Sequence, residues 1–524
     1  MIMTHPDLIK TMSKADFYPH RPEKVELVQT HISFVFLAGD LVYKVKKAVD
    51  FGFLDFTTLE KRKYFCEEEL RLNRRLAPET YLEVVVIGQD ANGALRFGSG
   101  RPVEYAVVMK KLPLERMLKK LLAEGKAGVE DMDAIARKVA DFHRRAETGG
   151  EIDAIGGIDT IRHNHDENFE QTAKYIGLTI PRDRYDFLRD YVNRFLERER
   201  PLLEKRVRDH RIRDCHGDLH AEHICLADGI IIFDCIEFNK RFRYGDVAAE
   251  AAFLAMDLDY NGYPDHARAF VEAYVRHSGD EDVLRLLEFY RCYYATVRGK
   301  VISFRLDDPH IESADRDAAA RMAARYFDLA SFYAARPANK TLVLMAGLMG
   351  TGKSVLARAL APLLGAQIIQ TDAVRKEMLR IPASEHRYEE FGQGIYSADI
   401  SRKTYEKALE IALEKLNTER AVIIDASYKS RKERLRAFEA GRRAGANVFV
   451  VECVCPEDII EKRLNSRQSR GGDISDGRWE IFLAQRGDFE RIDEIPERAH
   501  LAADTSRAAE ETAVAVVRKM SGLE

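Results

Sequence analysis

The 524-residue sequence lacks any apolar run approaching the ~18 residues that a membrane-spanning helix needs, so no membrane partner is expected. Its first residues, MIMTHPDLIK, lack the charged stretch leading into an apolar one that marks a secretory leader. An excess of one charge is missing too: 82 Lys and Arg against 86 Asp and Glu leave −4, which removes the global basic field that would argue for a nucleic-acid partner. Cysteine is scarce, with seven scattered residues, an odd number that fits thiols in a reducing compartment and not a disulfide framework. Cys453 and Cys455, spaced C-x-C in a strand-like apolar run, read as packing residues and not as half a metal site. There is no internal repeat and no low-complexity segment. These absences predict a cytoplasmic globular protein, and the length asks for more than one domain. The visible seam is AARPANK, residues 334–340, where a proline among small and polar residues follows a long helical region. It divides the chain into expected domains at 1–335 and 336–524.

What is present begins with residues 341–358, TLVLMAGLMGTGKSVLAR: a short apolar run, a glycine-rich turn, then a helix-forming segment. Gly347, Gly352, Lys353 and Ser354 have the spacing G-x-x-x-x-G-K-[ST], with Gly350 and Thr351 inside the turn. Glycines at these places let the backbone curl with its N–H groups pointing inward, a cradle for phosphate at a helix N-terminus. In such a loop Lys353 reaches the β/γ-phosphates and the Ser354 hydroxyl meets a magnesium ion. The ligand expected is ATP with Mg2+.

In the first half, residues 31–47 alternate apolar residues around a Gly-Asp turn and predict a β-hairpin, with Lys44 and Lys46 on the returning strand. Residues 57–76 have helical periodicity and carry Glu67, Glu68 and Glu69. Further on, His216-Gly217-Asp218 precedes a short turn and an apolar strand, 230–233, that runs into Asp234. A loop aspartate followed, one hairpin later, by a second aspartate is the kinase arrangement of proton acceptor and metal ligand. Residues 20–335 resemble the aminoglycoside phosphotransferase and choline kinase family, whose loop reads H-G-D. The resemblance implies a kinase-like fold with a small β lobe and a large helical lobe. It also implies Asp218 as catalytic base, Asp234 as metal ligand, Lys44 as phosphate lysine and Glu69 as its partner, with Lys46 and Glu68 as the near alternatives. It places a nucleotide hinge at YAVVMKKL, around Met109, and makes Asp246 a brace for the catalytic loop. One position departs: five residues after Asp218 the family has a metal-binding asparagine, and this chain has His223. His223 is then a surrogate metal ligand, a substrate contact or a packing histidine. An imidazole serves Mg2+ poorly and Mn2+ better, so Mn2+ is an alternative ion there. The segment between Asp246 and Arg336 is helical and aromatic-rich; Arg291, Arg298 and Lys300 are candidates for positive charge near a cleft.

In the second half, the apolar run 421–424 ends in Asp425, the strand-then-aspartate that serves the magnesium shell of P-loop proteins. Ala426 and Ser427 follow, not the glutamate that activates water in ATP-driven machines, which favours transfer to an acceptor. Gln370-Thr371-Asp372, with Arg375 and Lys376 behind it, resembles the acceptor corner of the gluconate kinase, polynucleotide kinase and zeta-toxin group and implies Asp372 as the residue that orients an acceptor hydroxyl. Otherwise Asp372 is a helix N-cap. Arg431 and Arg434 form one arginine pair; Arg463, Arg467 and Arg470 form a helical set that resembles the phosphate-closing lid of adenylate-kinase-like enzymes, with residues 471–476, GGDISD, as its flexible end. Asp504-Thr505-Ser506 resembles the turn beside which adenine sits in such folds. The α/β P-loop fold is expected here. The whole resembles bacterial fused phosphotransferase and ATP-binding proteins, implying an ATP-dependent phosphotransferase with two nucleotide modules and a small-molecule acceptor. Two other readings remain: an N-terminal pseudokinase that regulates the P-loop module, and a P-loop ATPase switch that drives a partner.

Overall fold

The computed structural model describes residues 5–309, 311–336, 340–382, 394–470 and 479–520. Two compact units emerge, one from residues 1–167 and 195–294, the other from residues 168–194 and 295–524. Each is described by itself.

The first unit opens with a six-stranded antiparallel sheet, β1 (Val25–Gln29), β2 (Ser33–Ala38), β3 (Leu41–Lys46), β4 (Tyr81–Gln89), β5 (Leu95–Phe97) and β6 (Arg101–Lys110), in the order β1-β2-β3-β6-β4-β5. The expected hairpin is β2–β3, with Ala38 opposite Leu41 and Gly39 at φ +64° supplying the left-handed turn residue. Side chains alternate along β3. Tyr43 and Val45 join Phe36, Ala106 and Val108 in one core layer, while Lys44 and Lys46 fall on the opposite face. That face meets the helix Leu59–Asn73, N-capped by Thr58, whose Cys66 packs with Tyr81 and Val107. The remaining helices of this unit carry two short ribbons: β7 (Ile212–Asp214) pairs with β10 (Tyr244–Asp246), and β8 (Ile224–Ala227) with β9 (Gly229–Ile232).

The second unit holds a five-stranded parallel sheet, β11 (Thr341–Ala346), β12 (Ala366–Gln370), β13 (Ala421–Asp425), β14 (Asn447–Val454) and β15 (His500–Asp504), in the order β12-β13-β11-β14-β15. β11 and β13 are buried at every residue. That is why they read as unbroken apolar runs and not as alternating strands: helices cover both faces of a parallel sheet. The helix Ser313–Ala335 stops just before Pro337, as a residue preceding proline disfavours helical backbone; residues 337–339 lie outside the described residues.

Among the described residues, no helix is long and apolar enough to cross a membrane. All seven cysteines are free.

Candidate functional sites

Site one is built on two loops of the first unit. Gly217, at φ +87°, is obligatory: a Cβ there would lie 2.9 Å from the carbonyl oxygen of Phe242. The amides of His216 and Gly217 both donate to one oxygen of Glu250, at 2.8 and 2.6 Å. The other Glu250 oxygen meets His143, which in turn meets the Tyr274 hydroxyl. Asp257, two turns along the same helix, accepts the amide of Ala221 at 2.9 Å. The expected brace, Asp246, acts one step further back. It caps the helix Val247–Tyr260 that carries Glu250 and Asp257, and is itself held by the buried Arg206, which also binds Asp280. The loop amides end on a glutamate one turn into the helix, not on its capping residue.

Asp234 sits just past β9 with φ +64°, a left-handed conformation that aspartate tolerates better than most residues. Its amide donates to the Tyr81 hydroxyl, and the next amide, of Cys235, donates to Asn73 at 2.9 Å. Asn73 also donates to the carbonyl of Glu69, so the Asp234 loop and the Glu69 helix are fastened together. Lys44 then lies 2.6 Å from Asp234 and 2.8 Å from Glu69. Burial alone would raise the Asp234 carboxyl, but the Lys44 ammonium holds it far below the ordinary range. Burial would lower Lys44, yet Asp234 and Glu69 carry it well above its usual value. The alternatives resolve unequally. Glu68 pairs with Arg71 on the helix surface, whereas Lys46 shares Glu69 (2.7 Å) and also binds Glu237, a buried carboxylate that the sequence did not single out. Burial pushes Glu237 up despite Lys46. Met109, on β6 opposite Val42 and Tyr81, packs against the same cluster as Phe233, the residue before Asp234.

His223 stands between the two aspartates. Its Nδ1 contacts the backbone oxygen of Asp218 at 2.9 Å, and its Nε2 is 3.5 Å from an oxygen of Asp234. A carbonyl can only accept, so Nδ1 carries a proton, and Nε2 is the nitrogen turned toward Asp234. That is how protein ligands orient a metal-binding imidazole. Asp218, His220 and His223 bring an oxygen and two ring nitrogens within 4.8 Å of one another. His216, pushed down to about 4 by burial, is neutral: Nε2 donates to Phe233 and Nδ1 accepts from the Asp218 amide.

The second site lies at the ends of β11, β12 and β13. Gly347, Gly350 and Gly352 have φ of +133°, +79° and +86°. Cβ atoms at Gly347 and Gly350 would fall 2.8 Å from the Cys453 carbonyl and 2.7 Å from the Ile460 side chain. After Gly352 the helix Lys353–Leu364 begins. Lys353 Nζ donates to the Leu348 carbonyl at 2.7 Å, and the Thr351 hydroxyl donates to the same oxygen. Ser354 is hydrogen-bonded to Asp425. Burial raises the Asp425 carboxyl, with Ser354 and Lys353 opposing and Asp372 adding to the rise. Asp372 is not the N-cap of its helix; Gln370 is, and Asp372 pairs with Arg375.

Several arginines are placed otherwise than expected. Arg434 is fully buried, bound to Glu494 and to the carbonyls of Tyr428, Lys429 and Arg491, so it fastens the loop after β13. Arg431 pairs with Asp493 at the surface. Arg463, one of the three arginines expected to form a lid, donates to the Thr505 carbonyl at 2.7 Å beside Gly352. The helix Glu457–Arg470 carries Arg467 and Arg470, whose side chains, like residues 471–476, lie outside the described residues. In the helical segments Arg291 is buried against Asp259 and Glu288, Arg298 lies over Tyr326, and Lys300 donates to Asn168 and Gln171, so these three hold helices together.

Two family models match the chain. Residues 60–289 match the model of the Phosphotransferase enzyme family and residues 342–492 that of an AAA domain. Over 461 residues the chain is 32% identical to Uncharacterized protein Rv2004c of Mycobacterium tuberculosis, covering 88% of this chain and 89% of that one; Mb2027c of Mycobacterium bovis matches equally. Among solved structures, a choline/ethanolamine kinase family protein from Mesorhizobium loti is 14% identical, covering 62% of this chain and 98% of that one, with a TM-score of 0.35. A gluconokinase from Sinorhizobium meliloti is 18% identical, covering 36% and 96%, with a TM-score of 0.25. The chain belongs to the family of the mycobacterial proteins Rv2004c and Mb2027c, and is an ATP-dependent kinase in which a phosphotransferase-family domain of kinase-like fold precedes a P-loop domain.

Proposed function

We propose that this kinase transfers the γ-phosphoryl group of ATP to small-molecule hydroxyls at two sites, one in residues 1–335 and one in residues 336–524. The observation that carries the first is the buried Lys44 held by Glu69 and Asp234, with His223 between Asp234 and Asp218. Lys44 binds the α/β-phosphates, Asp218 accepts the proton of the acceptor hydroxyl, and the backbone around Met109 receives the adenine edge. Asp234 and the Nε2 of His223 offer one oxygen and one nitrogen, a donor pair that suits Mn2+ better than Mg2+. In the second site the loop amides of 347–352 receive phosphate, Lys353 leaves the Leu348 carbonyl for the β/γ-phosphates, and Asp372 orients the acceptor. Ser354 and Asp425, two oxygen donors, fit Mg2+ there. A divalent ion at either site supplies neutralisation of phosphate charge during transfer. Arg467 and Arg470 close over that charge. The seven free thiols favour a cytoplasmic setting, and the acceptors are small molecules, not membrane or nucleic acid.

One observation favours a second reading, a regulatory pseudokinase in the first domain: the residue standing between the two carboxylates is an imidazole and not the expected amide. The test is phosphate transfer from γ-labelled ATP into a metabolite pool by wild type, Lys353→Ala and Asp218→Asn in parallel. Each variant should remove a different labelled product. If Asp218→Asn removes none, the first site is regulatory; if neither variant does, both assignments fail.

A further inference from the structure

We propose that Lys46 and Glu237 are positioning residues of the first site: together they hold Glu69, and through it the Lys44 ammonium, where that lysine meets phosphate. This rests on the reading of Lys44 as the phosphate lysine and adds to it two residues that phosphate does not touch.

Five side chains alternate in charge. Asp234 pairs with Lys44 at 2.6 Å, Lys44 with one oxygen of Glu69 at 2.8 Å, the other Glu69 oxygen with Lys46 at 2.7 Å, and Lys46 with Glu237. Both ends of the series lie on the loop that follows β9, so it closes into a ring joining that loop, β3 and the Glu69 helix. The loop is fixed from behind as well: Ile236, between the two carboxylates, donates its amide to the His216 carbonyl at 3.1 Å and accepts from Arg243 at 3.0 Å. Exposure separates the roles of the two lysines. The side chains of Lys46, Glu69 and Glu237 are 1%, 0% and 5% exposed, against 13% for Lys44, which lies behind the more open Asp234. A ligand therefore reaches the ring at its Asp234–Lys44 end, and Lys46, which also lies over the Phe56 ring at 4.8 Å, stays inside. A phosphate that draws Lys44 from Asp234 leaves that lysine tethered by Glu69. With Lys46 on its second oxygen, Glu69 is held from both sides. Without it, that oxygen is a buried acceptor lacking a partner, and the other ammonium it can turn to is Lys44. Loss of Lys46, or of the Glu237 that holds Lys46, then moves Lys44 from its place.

Calorimetric titration of the full-length protein carrying Lys353→Ala reads the first site. There Glu237→Met and Lys46→Met should each raise the ATP dissociation constant about tenfold, within the range for residues coupled in one ion-pair network. The stoichiometry should hold, and the constant for adenosine, which has no phosphate for Lys44 to meet, should stay within about twofold. In a Lys44→Met background the same substitutions should add nothing, because the residue they position is gone. Lys46→Met/Glu237→Met replaces the buried pair as a whole by apolar side chains and takes the place of a single variant that does not fold. An unchanged ATP constant, an equal rise for ATP and adenosine, a rise that adds in full to that of Lys44→Met, or a double variant that fails to fold overturns the positioning role and leaves Lys44 as the phosphate lysine. Absence of ATP binding in the Lys353→Ala protein, or binding that Lys44→Met does not weaken, overturns both.

Discussion

Removing the Glu69 carboxylate is the most direct test of the first site's charge arrangement. The group is fully buried and bridges Lys44 at 2.8 Å and Lys46 at 2.7 Å. In Glu69→Ala the two ammonium groups keep Asp234 and Glu237 but lose the charge between them, and they repel each other in a medium with little water. Breaking a buried ion pair from one side costs about 3–5 kcal/mol. At about 2–4 °C per kcal/mol for a domain of this size, the melting of this unit should fall by about 6–20 °C. Glu68→Ala supplies the control, because its pair with Arg71 is at the helix surface and worth about 0.2–1 kcal/mol. The pH dependence has a definite sign. Burial would raise Glu69, but Lys44 and Lys46 prevail and hold it below its ordinary value. Its stabilisation is therefore complete above the unfolded carboxylate value, about 4.3, and is lost as pH falls through the lower folded one. The gap between wild type and Glu69→Ala should be full at pH 7 and narrow in acid, as read by calorimetric scans across pH. A fall of less than about 2 °C in Glu69→Ala, or an equal fall in Glu68→Ala, would refute this account.

Gly217→Ala forces a Cβ onto the Phe242 carbonyl at a positive φ, so transfer by the first site should collapse while the nucleotide binding that Lys353→Ala removes is unchanged; loss of both would mean a global fold defect. Arg434→Met should destabilise the P-loop unit by about 3–5 kcal/mol because it strands buried Glu494, whereas Arg431→Ala should lie within about 0.5 kcal/mol of wild type in denaturant titration. His223→Asn should raise Mg2+-supported transfer by the first site and abolish its preference for Mn2+. Loss of transfer in both ions would instead assign His223 to the acceptor.

What could be read from the sequence was what short spacing fixes. The phosphate loop, the H-G-D turn, the strand ending in Asp425 and the hairpin bearing Lys44 each span fewer than about twenty residues, and glycine positions, strand parity and apolar runs carry them. Contacts between distant residues could not be read this way. Lys46 meets Glu237 across 191 residues, Arg434 meets Glu494 across 60, and Arg463 meets Thr505 across 42. Arginine spacing on a helix shows which side chains share a face, and does not show whether that face meets phosphate or a backbone carbonyl. That is how Arg434 came to resemble a functional residue while serving as a fastening. Glu250 was missed for a related reason: a glutamate in AAEAAFLAMDLD reads as one polar position on an apolar helix, and only the fold brings it to the amides of His216 and Gly217.

His223 shows where the two kinds of information meet. The sequence identifies a departure, an imidazole in place of a carboxamide, but its chemistry depends on which nitrogen faces the carboxylates. The Asp218 carbonyl at 2.9 Å decides this, because it takes the Nδ1 proton and leaves Nε2 as the nitrogen toward Asp234. A packing histidine has no need of that orientation, since either nitrogen satisfies a single partner equally well. With Nε2 directed at Asp234, the substitution offers an ion a ring nitrogen where the family's amide offers an oxygen. The expected consequence is a change in ion preference more than a loss of binding. Measuring transfer against ion identity therefore separates an altered metal site from a dead one, which measuring transfer in magnesium alone cannot do.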